Sequence, residues 1–484
     1  MDELNSRLPH PLISVLPLAV LVAMIVLILL HMPDDALSGA SQLALIVATC
    51  ICVAIAMVLY HVPWKTFEHA IQKTIGEAAV SILILLMIGV MSSTWMISGV
   101  VPTLIYYGVQ FMSPQFFLPC ACIISSLISV MTGTSWTTIA TIGIALLGIG
   151  NALGIPAPYC AGAIISGAYF GDKMSPLSDT TILASSSAGV DIFSHIRYMM
   201  LTTMPAFLIT LLIFTAMGLG FDADDSIHVH QYTEGLSRTF NISLWTLLVP
   251  VLTGVLIVKR VPSLIVLFLS AMMAGVMALI LQPHILTEIA GDAELSRVGA
   301  LTKGLVMTFY GPTAIETGSA ELNDLVSTGG MAGMLNTIWL IVCAMCFGAA
   351  MVASGMIESI TKVVISWVRS RVGLVASTAS TGLFLNVATG DQFISIVLTV
   401  NMFKDVYKRQ GYEARLVSRT AEDSATVTSV LVPWNTCGLT QSTVLGVATI
   451  AYLPYCFFNI LSPLMTILVA AVGWKIRKKM RDEK

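Results

Sequence analysis

Runs of about twenty apolar residues recur along this chain, each long enough for a helix to cross the hydrocarbon core of a bilayer. The plainest are Leu12 to Leu30, Gln42 to Tyr60, Ala78 to Ile97, Met199 to Gly220, Ile242 to Val258, Ser263 to Leu281, Leu335 to Ala353 and Ala451 to Trp474. The charged residues are too few for any other solvent: they make up 11% of 484 residues, where soluble domains carry roughly 25%. A soluble enzyme, a nucleic-acid binder and a disordered chain are thereby excluded. The fold class that follows is an all-α polytopic membrane protein with about ten crossings. A net charge of -3 says little about partners, since the position of each charge relative to the lipid matters more than the sum.

The distribution of Lys and Arg sets the orientation. Basic groups gather at Lys65/Lys73, Lys259/Arg260, Lys362/Arg369/Arg371 and in the tail from Lys475 to Lys484, while Asp34/Asp35 and Asp222/Asp224/Asp225 mark acidic loops. With the basic groups inside, both termini are cytoplasmic. Met1 to Pro11 mixes charges of both signs ahead of a run long enough to span, the pattern of a membrane helix rather than of a cleaved signal. The nine cysteines all lie in apolar stretches and read as packing residues, including the Cys343/Cys346 pair.

Two zones are apolar yet interrupted, and they correspond. Ser98-Gly99 ends one apolar run and Ser354-Gly355 another; Thr132-Gly133 answers to Thr389-Gly390, and Pro176 and Pro433 each follow those second glycines by 43 residues. The orientation rule sends Ala78 to Ile97 outward and Leu335 to Ala353 inward, so the repeat is inverted, as in secondary transporters. The expected organisation is peripheral N-terminal helices over 1–75, a first repeat over 76–220, connecting helices and an external loop over 221–333, a second repeat over 334–474 and a basic tail over 475–484. Gly373 to Phe403, about 30 residues broken at Thr389-Gly390-Asp391 and flanked by basic groups, reads as a hairpin re-entering from the cytoplasm. Phe116 to Ile149, with its tip at Thr132-Gly133-Thr134, is its counterpart from outside. Tyr159 to Asp191 and Glu413 to Ile450 then each cross once with an unwound centre, which membrane proteins tolerate only inside protein or along a wet cavity.

Chemistry concentrates at these interruptions. Gly171 to Thr181 reads G-D-K-M-S-P-L-S-D-T-T. Two Asp in an apolar setting are costly and need a polar reason, and Asp172 and Asp179 with the hydroxyls of Ser175 and Thr180 can clothe a small hard cation such as Na+; the plainer reading is a loop with Asp179 as a helix cap. At the second tip, Thr389, Gly390, Asp391 and Gln392 form a turn in which Asp391 either caps a helix or reaches a cation. The mirrored tip, Thr132, Gly133, Thr134 and Ser135, offers neutral ligands or close packing. Downstream, Arg419 with Glu422 reads as a structural pair, Asp423 as a gating or proton-relay carboxylate or as the salt-bridge partner of Arg415 or Arg419, and Asn435 as a polar group in the second break. Lys173 is a potential countercharge, with no clear buried Arg beside it. His228 and His230 read as a solvated loop, and Glu77 and Glu316 as groups near membrane ends. No Walker A lysine, nucleophile elbow or zinc pattern is present, so an ATP-driven pump, a hydrolase or any other enzyme has no support, and no cofactor is expected.

Gly167 to His195, Thr389 to Ser395 and Ser418 to Gly438 resemble the NhaC family of Na+/H+ antiporters, of the ion-transporter superfamily, and the likeness runs from about Glu77 to Trp474. The resemblance implies a multi-pass protein of a bacterial or archaeal cytoplasmic membrane, exchanging Na+ for H+, with Asp172, Asp179, Asp391 and Asp423 as the carboxylates to test. It also implies a homodimer through 12–60 or 242–281. One branch resembling this family exchanges malate and protons for lactate and Na+, which makes a small organic anion the alternative cargo, with Lys173 and helix N-termini as its site. In the preferred reading Na+ and H+ compete for one carboxylate, so their occupancies exclude each other without a long-range device.

Overall fold

A computed structural model describes residues 8–31, 39–221, 226–292, 294–366, 368 and 370–476. The acidic groups Asp34, Asp35, Asp222, Asp224 and Asp225, Arg369 and the tail from 477 onward lie outside them, as does the side chain of His228. Helices run in the order α1 (Pro11–His31), α2 (Ser41–Tyr60), α3 (Trp64–Ile97), α4 (Val100–Phe111), α5 (Pro114–Thr132), α6 (Ser135–Thr138), α7 (Ile144–Ala152), α8 (Ala157–Met174), α9 (Asp179–Ala188) and α10 (Ile192–Gly218). They continue with α11 (Ser226–Thr239), α12 (Leu248–Val258), α13 (Ser263–Leu281), α14 (Pro283–Ala290), α15 (Arg297–Tyr310), α16 (Ala320–Val326), α17 (Leu335–Ala353) and α18 (Met356–Ser366). The last are α19 (Arg371–Thr389), α20 (Gln392–Arg409), α21 (Ala414–Ala421), α22 (Thr436–Leu445), α23 (Thr449–Tyr452) and α24 (Phe457–Val472). Among the described residues the one extended pairing is Thr313 with Thr328.

Among the described residues nine helical segments are long and apolar enough to span, or up to eleven if two bent pairs each count as one. The simple spans read from the apolar runs are helical over most of their length, but not all are straight: Ala451 to Trp474 is bent by 54° at Cys456, between Thr449–Tyr455 and α24. Two others also differ. The run Ala78 to Ile97 is the second half of α3, whose 34 residues reach about 51 Å and carry Lys65 and Lys73 beyond the lipid. The run Ile242 to Val258 begins as a 3-10 turn, Leu244–Leu247, and meets the end of α11 at 90°.

Both interrupted zones fold as helical hairpins. The arms α5 and α19 each end at a glycine in the left-handed region, Gly133 at φ 71° and Gly390 at φ 66°, where a side chain would be strained. The arms are longer than the sequence suggested: α5 and α19 have 19 residues each and α20 has 18, because the helices continue through Arg371 and on to Arg409 past the apolar limits. Each is therefore a full crossing in length, and the argument that too few residues remained for two spans does not hold. The breaks are also narrower than expected: α8 stays helical to Met174 and α9 starts at Asp179, while in the second zone a π-turn (Glu422–Thr426) and a 3-10 turn (Ser429–Leu431) lead to a gap of only Val432 to Asn435 before α22.

α5 and α8 pack backbone against backbone. A Cβ on Gly167 would lie 2.1 Å from the Cys122 carbonyl oxygen, and one on Gly171 would lie 2.3 Å from that of Ser126. Small residues at a membrane interface allow such an approach and let dispersion hold the pair without a hydrophobic driving force. Outward faces are apolar, as at Leu27, Val58, Leu212 and Val276, consistent with lipid as solvent. Gly167→Val is expected to force these helices apart and to lower stability by about 1–3 kcal/mol or more, read as a lower thermal midpoint in detergent; an unchanged midpoint would mean that the contact is not close.

Candidate cation site

The hairpin tips fill the breaks in the interrupted helices. Gly133 sits against Leu177, where a Cβ would be 2.8 Å from backbone carbon, and the Gly390 carbonyl accepts from the Thr436 backbone N–H at 2.8 Å. Trp434 Nε1 donates to the Val387 carbonyl at 2.8 Å, tying the second tip to its break again. Backbone groups that lost their helical partners thus find them across the interface.

Asp172 is the hub of the first break. Its Oδ2 accepts from the Ser135 N–H at 3.0 Å and the Ser135 hydroxyl at 2.8 Å, and its Oδ1 accepts from Ser178 Oγ at 2.6 Å. Ser178 Oγ is 2.9 Å from Thr180 Oγ1, which donates to Glu422 Oε1 at 3.2 Å. A chain of two hydroxyls therefore joins two buried carboxyl groups. Asp172 is 5% exposed, and among the described residues no cationic side chain pairs with it. Oxygen atoms of Asp172, Ser135, Ser178 and Thr180 lie together, the donor type that hard cations prefer.

A cavity of about 310 Å³ opens beside them, with Asp172, Asp179, Thr180, Ser135, Gln392 and Glu77 in its wall. It is bounded by both hairpin tips, and every ionisable group lining it is acidic. Glu77, read as a group at a membrane end, is 58% exposed there, and Asp179 is also exposed. Asp179 does sit at the start of α9, although the N–H of Thr181 is accepted by Ser178, which is the cap.

The other sequence candidates divide. Asp391 caps α20 by accepting from the Ile394 N–H at 2.9 Å, lies 3.4 Å from the Thr436 hydroxyl and does not line the cavity. Gln392 does, with its Oε1 held by Ser429 Oγ at 3.0 Å. Thr132 and Thr389 close their own tips: Thr132 Oγ1 is 3.0 Å from Thr138 Oγ1, and Thr389 Oγ1 is 3.1 Å from Ser395 Oγ. Thr134 lines the cavity beside Gly133. Ser175 donates to the Val130 carbonyl at 2.8 Å, a structural use of its hydroxyl. Asn435 caps α22 by accepting from the Cys437 N–H at 3.1 Å.

Lys173 turns away from the cavity. Its Nζ is bonded to Asp423 and donates to Ser462 Oγ at 2.9 Å, with both ionic side chains fully buried. Asp423 also accepts from Thr202 at 3.1 Å and lies 3.8 Å from Arg419 Nε. Two expectations change here. Arg419 is a buried arginine, 0% exposed and 4.7 Å from the Tyr198 ring, and it faces Asp423 one turn on rather than pairing with Glu422. Arg415 pairs with Glu413. Glu422, read as half of a structural pair, is fully buried beside the Asp172 chain. The sequence held a signal for it: Ser418 to Ser429 is dense in small and hydroxyl residues, the composition of a helix packed on all sides, where a charge is not at a surface.

The two zones use the same bonds at a constant offset of 257 residues. Ser129 Oγ donates to the Ala168 carbonyl at 2.5 Å, and Asn386 Nδ2 to that of Ala425 at 2.6 Å. Ser135 donates to Asp172, and Ser429 donates to Gln392 in the corresponding pair, with the direction reversed. Gly167 packs on Ser125, whereas Gly382 packs on Ser424.

Interrupted helices inside protein with oxygen donors at the break define the class of secondary transporters. The chain belongs to the Na+/H+ antiporter family, whose profile matches residues 8–191 and 167–474. It is 35% identical to the Na+/H+ antiporter NhaC of Alkalihalophilus pseudofirmus over 89% of this chain and 90% of that one. It is 35% identical to the malate-2H+/Na+-lactate antiporter of Bacillus subtilis over 89% of each, and 34% identical to the arginine/ornithine antiporter ArcD of Halobacterium salinarum over 87% of this chain and 84% of that one.

Removing one partner of a buried ion pair strands the other, at a cost of about 3–5 kcal/mol. Asp423→Asn is accordingly expected to lower the thermal midpoint sharply, because it strands both Lys173 and Arg419, and Lys173→Met to lower it less, because Asp423 still faces Arg419. Equal destabilisation by the two variants would show that Arg419 does not depend on Asp423.

Proposed function

We propose that this protein is a multi-pass antiporter that exchanges Na+ for H+ by alternating access, with Asp172 as the carboxylate for which the two ions compete. The observation that carries the reading is the cavity between the hairpin tips, whose ionisable lining is entirely acidic and whose most buried carboxylate, Asp172, has hydroxyl and N–H donors but no cationic partner. A proton or a desolvated Na+ supplies the missing charge, and binding of one requires loss of the other. Asp179 draws cations to the mouth, where Glu77 is shared with Lys73 at 3.9 Å, while Thr180, Ser135 and Ser178 replace water oxygens around the ion. Glu422 takes the proton at the far end of the hydroxyl chain. Asp391 and Asn435 act as caps that hold the second tip and break in shape, and Asp423 holds Lys173. The NhaC relatives support the cation pair.

The malate/lactate relative keeps organic-anion exchange as the alternative. A dicarboxylate would enter a wall of like charge, since Lys173 is engaged by Asp423 and, among the described residues, no basic side chain lines the cavity. The basic loops favour a bacterial cytoplasmic membrane with both termini inside, and the bonds at an offset of 257 favour two inverted repeats, over 76–220 and 334–474, rocking about the tips. The N-terminal helices over 1–75 and the connecting helices over 221–333 form the surrounding scaffold, where a homodimer contact would lie.

In proteoliposomes with an imposed pH gradient and no organic solute, Na+ is expected to dissipate the gradient saturably. Asp172→Asn is expected to abolish the response at unchanged folded yield, and Asp179→Asn to raise the apparent KM with kcat largely kept. Exchange at normal rate in Asp172→Asn would overturn the assignment; a response that requires malate or lactate would move the protein to the alternative. In a cysteine-free background, Pro156→Cys is expected to label from outside and Lys408→Cys from inside, and labelling of both from one side would sink the inverted arrangement.

A further inference from the structure

A second polar cavity, of about 300 Å³, lies where the start of α10 meets α21 and the end of α24. Its walls bring together Arg197, Arg415 and Lys475, which are far apart in sequence, against one acidic lining residue, Asp191. That carboxylate is occupied: it caps α10 by accepting from the Ser194 N–H at 2.9 Å. Arg415 is held by Glu413 and packs 4.5 Å from the ring of Tyr198. Neither Arg197 nor Lys475 has an ion-pair partner among the described residues. The lining therefore carries three cations against one capped anion, at the end of the molecule where the basic loops gather.

What distinguishes this pocket from an ordinary basic surface is the wall that continues from it. Phe193 on its rim is 64% exposed, and along the same face of α10 follow Met200, Leu208 and Leu212, at 44%, 55% and 70%. Their spacing of four, seven and eight residues is that of one helical stripe, and a stripe so apolar faces acyl chains. A cationic pocket at the head of a lipid-facing stripe matches a molecule with an anionic head and two hydrocarbon tails. We infer that this pocket is a binding site for an anionic phospholipid of the cytoplasmic leaflet, with the phosphate between Arg197, Arg415 and Lys475 and the chains along α10.

The site also has a route to the interior. The Tyr198 ring lies under both Arg415 and Arg419, at 4.5 and 4.7 Å. Arg419 stands 3.8 Å from Asp423, which holds Lys173. A headgroup that fixes Arg415 fixes the ring on which the buried arginine rests, so occupancy of the pocket bears on the ion pair next to the cation site.

The test uses the purified full chain in detergent, titrated with phosphatidylglycerol, phosphatidylcholine or inorganic phosphate, with thermal unfolding and native mass spectrometry as readouts. Phosphatidylglycerol is expected to raise the midpoint and remain bound, while phosphatidylcholine and phosphate do neither. In Arg197→Gln/Lys475→Gln, apparent affinity for phosphatidylglycerol is expected to fall about thirtyfold, two surface charges' worth, with the midpoint in lipid-free detergent unchanged; Arg197→Lys is expected to retain binding. An equal response to phosphatidylcholine, a response to phosphate alone, or full phosphatidylglycerol affinity in the double variant would each overturn the assignment.

Discussion

Inside a bilayer no water is present to satisfy a backbone group that has lost its helical partner. This constraint organises the molecule. Two helices are interrupted at depth, after Met174 and after Leu431, and each gap is closed by a hairpin tip that turns on a left-handed glycine. The tips contribute backbone as much as side chains: the Ser135 N–H goes to Asp172 and the Gly390 carbonyl receives Thr436. Carboxylate, hydroxyl and irregular main chain are therefore gathered at one level, the oxygen-rich setting that the proposed cation site requires. The other helices, α3, α13 and α17 among them, keep lipid away from that level.

Much of this was legible in the chain. The apolar runs gave the spans, since nothing but a helix satisfies twenty apolar residues in lipid, and the Thr-Gly and Pro anchors marked the tips and breaks because turns have few residue choices. The prominence of Asp172 followed from the cost of an unpaired acid in an apolar setting. What could not be read was partnership across the fold. Lys173 and Asp179 have equally polar neighbours in sequence, yet one is consumed by Asp423 and the other lines a cavity. The Arg419/Glu422 spacing suits a surface pair, but the helix that carries it is packed on all sides, so Arg419 meets Asp423 and Tyr198 while Glu422 meets Thr180. Hairpin length was underestimated for a related reason: polar residues at helix ends, such as Arg371 and Arg409, were read as boundaries although the helix continues through them.

The buried polar groups also differ in what they hold. Lys173 and Asp423 carry opposite charges on opposite halves of the interrupted zone, so they oppose separation of α8 from the Glu422–Thr426 turn. Asp172 makes its bonds to neutral donors, and its local charge is open to change without breaking that clamp. The structure thus separates a fixed electrostatic joint from a variable one, although the two residues, Asp172 and Lys173, are adjacent.

The exchanged direction of the bond at equivalent depths has a further meaning. In one zone a serine at the tip serves a carboxylate in the broken helix; in the other a serine in the broken helix serves a glutamine at the tip. The scaffold is doubled, but this carboxylate is not: at the offset of 257 the counterpart of Asp172 is Ser429 and that of Ser135 is Gln392, so the second zone repeats the bond with a hydroxyl and an amide. Two zones of like design therefore differ in what the same bond holds, an ionisable group in one and none in the other.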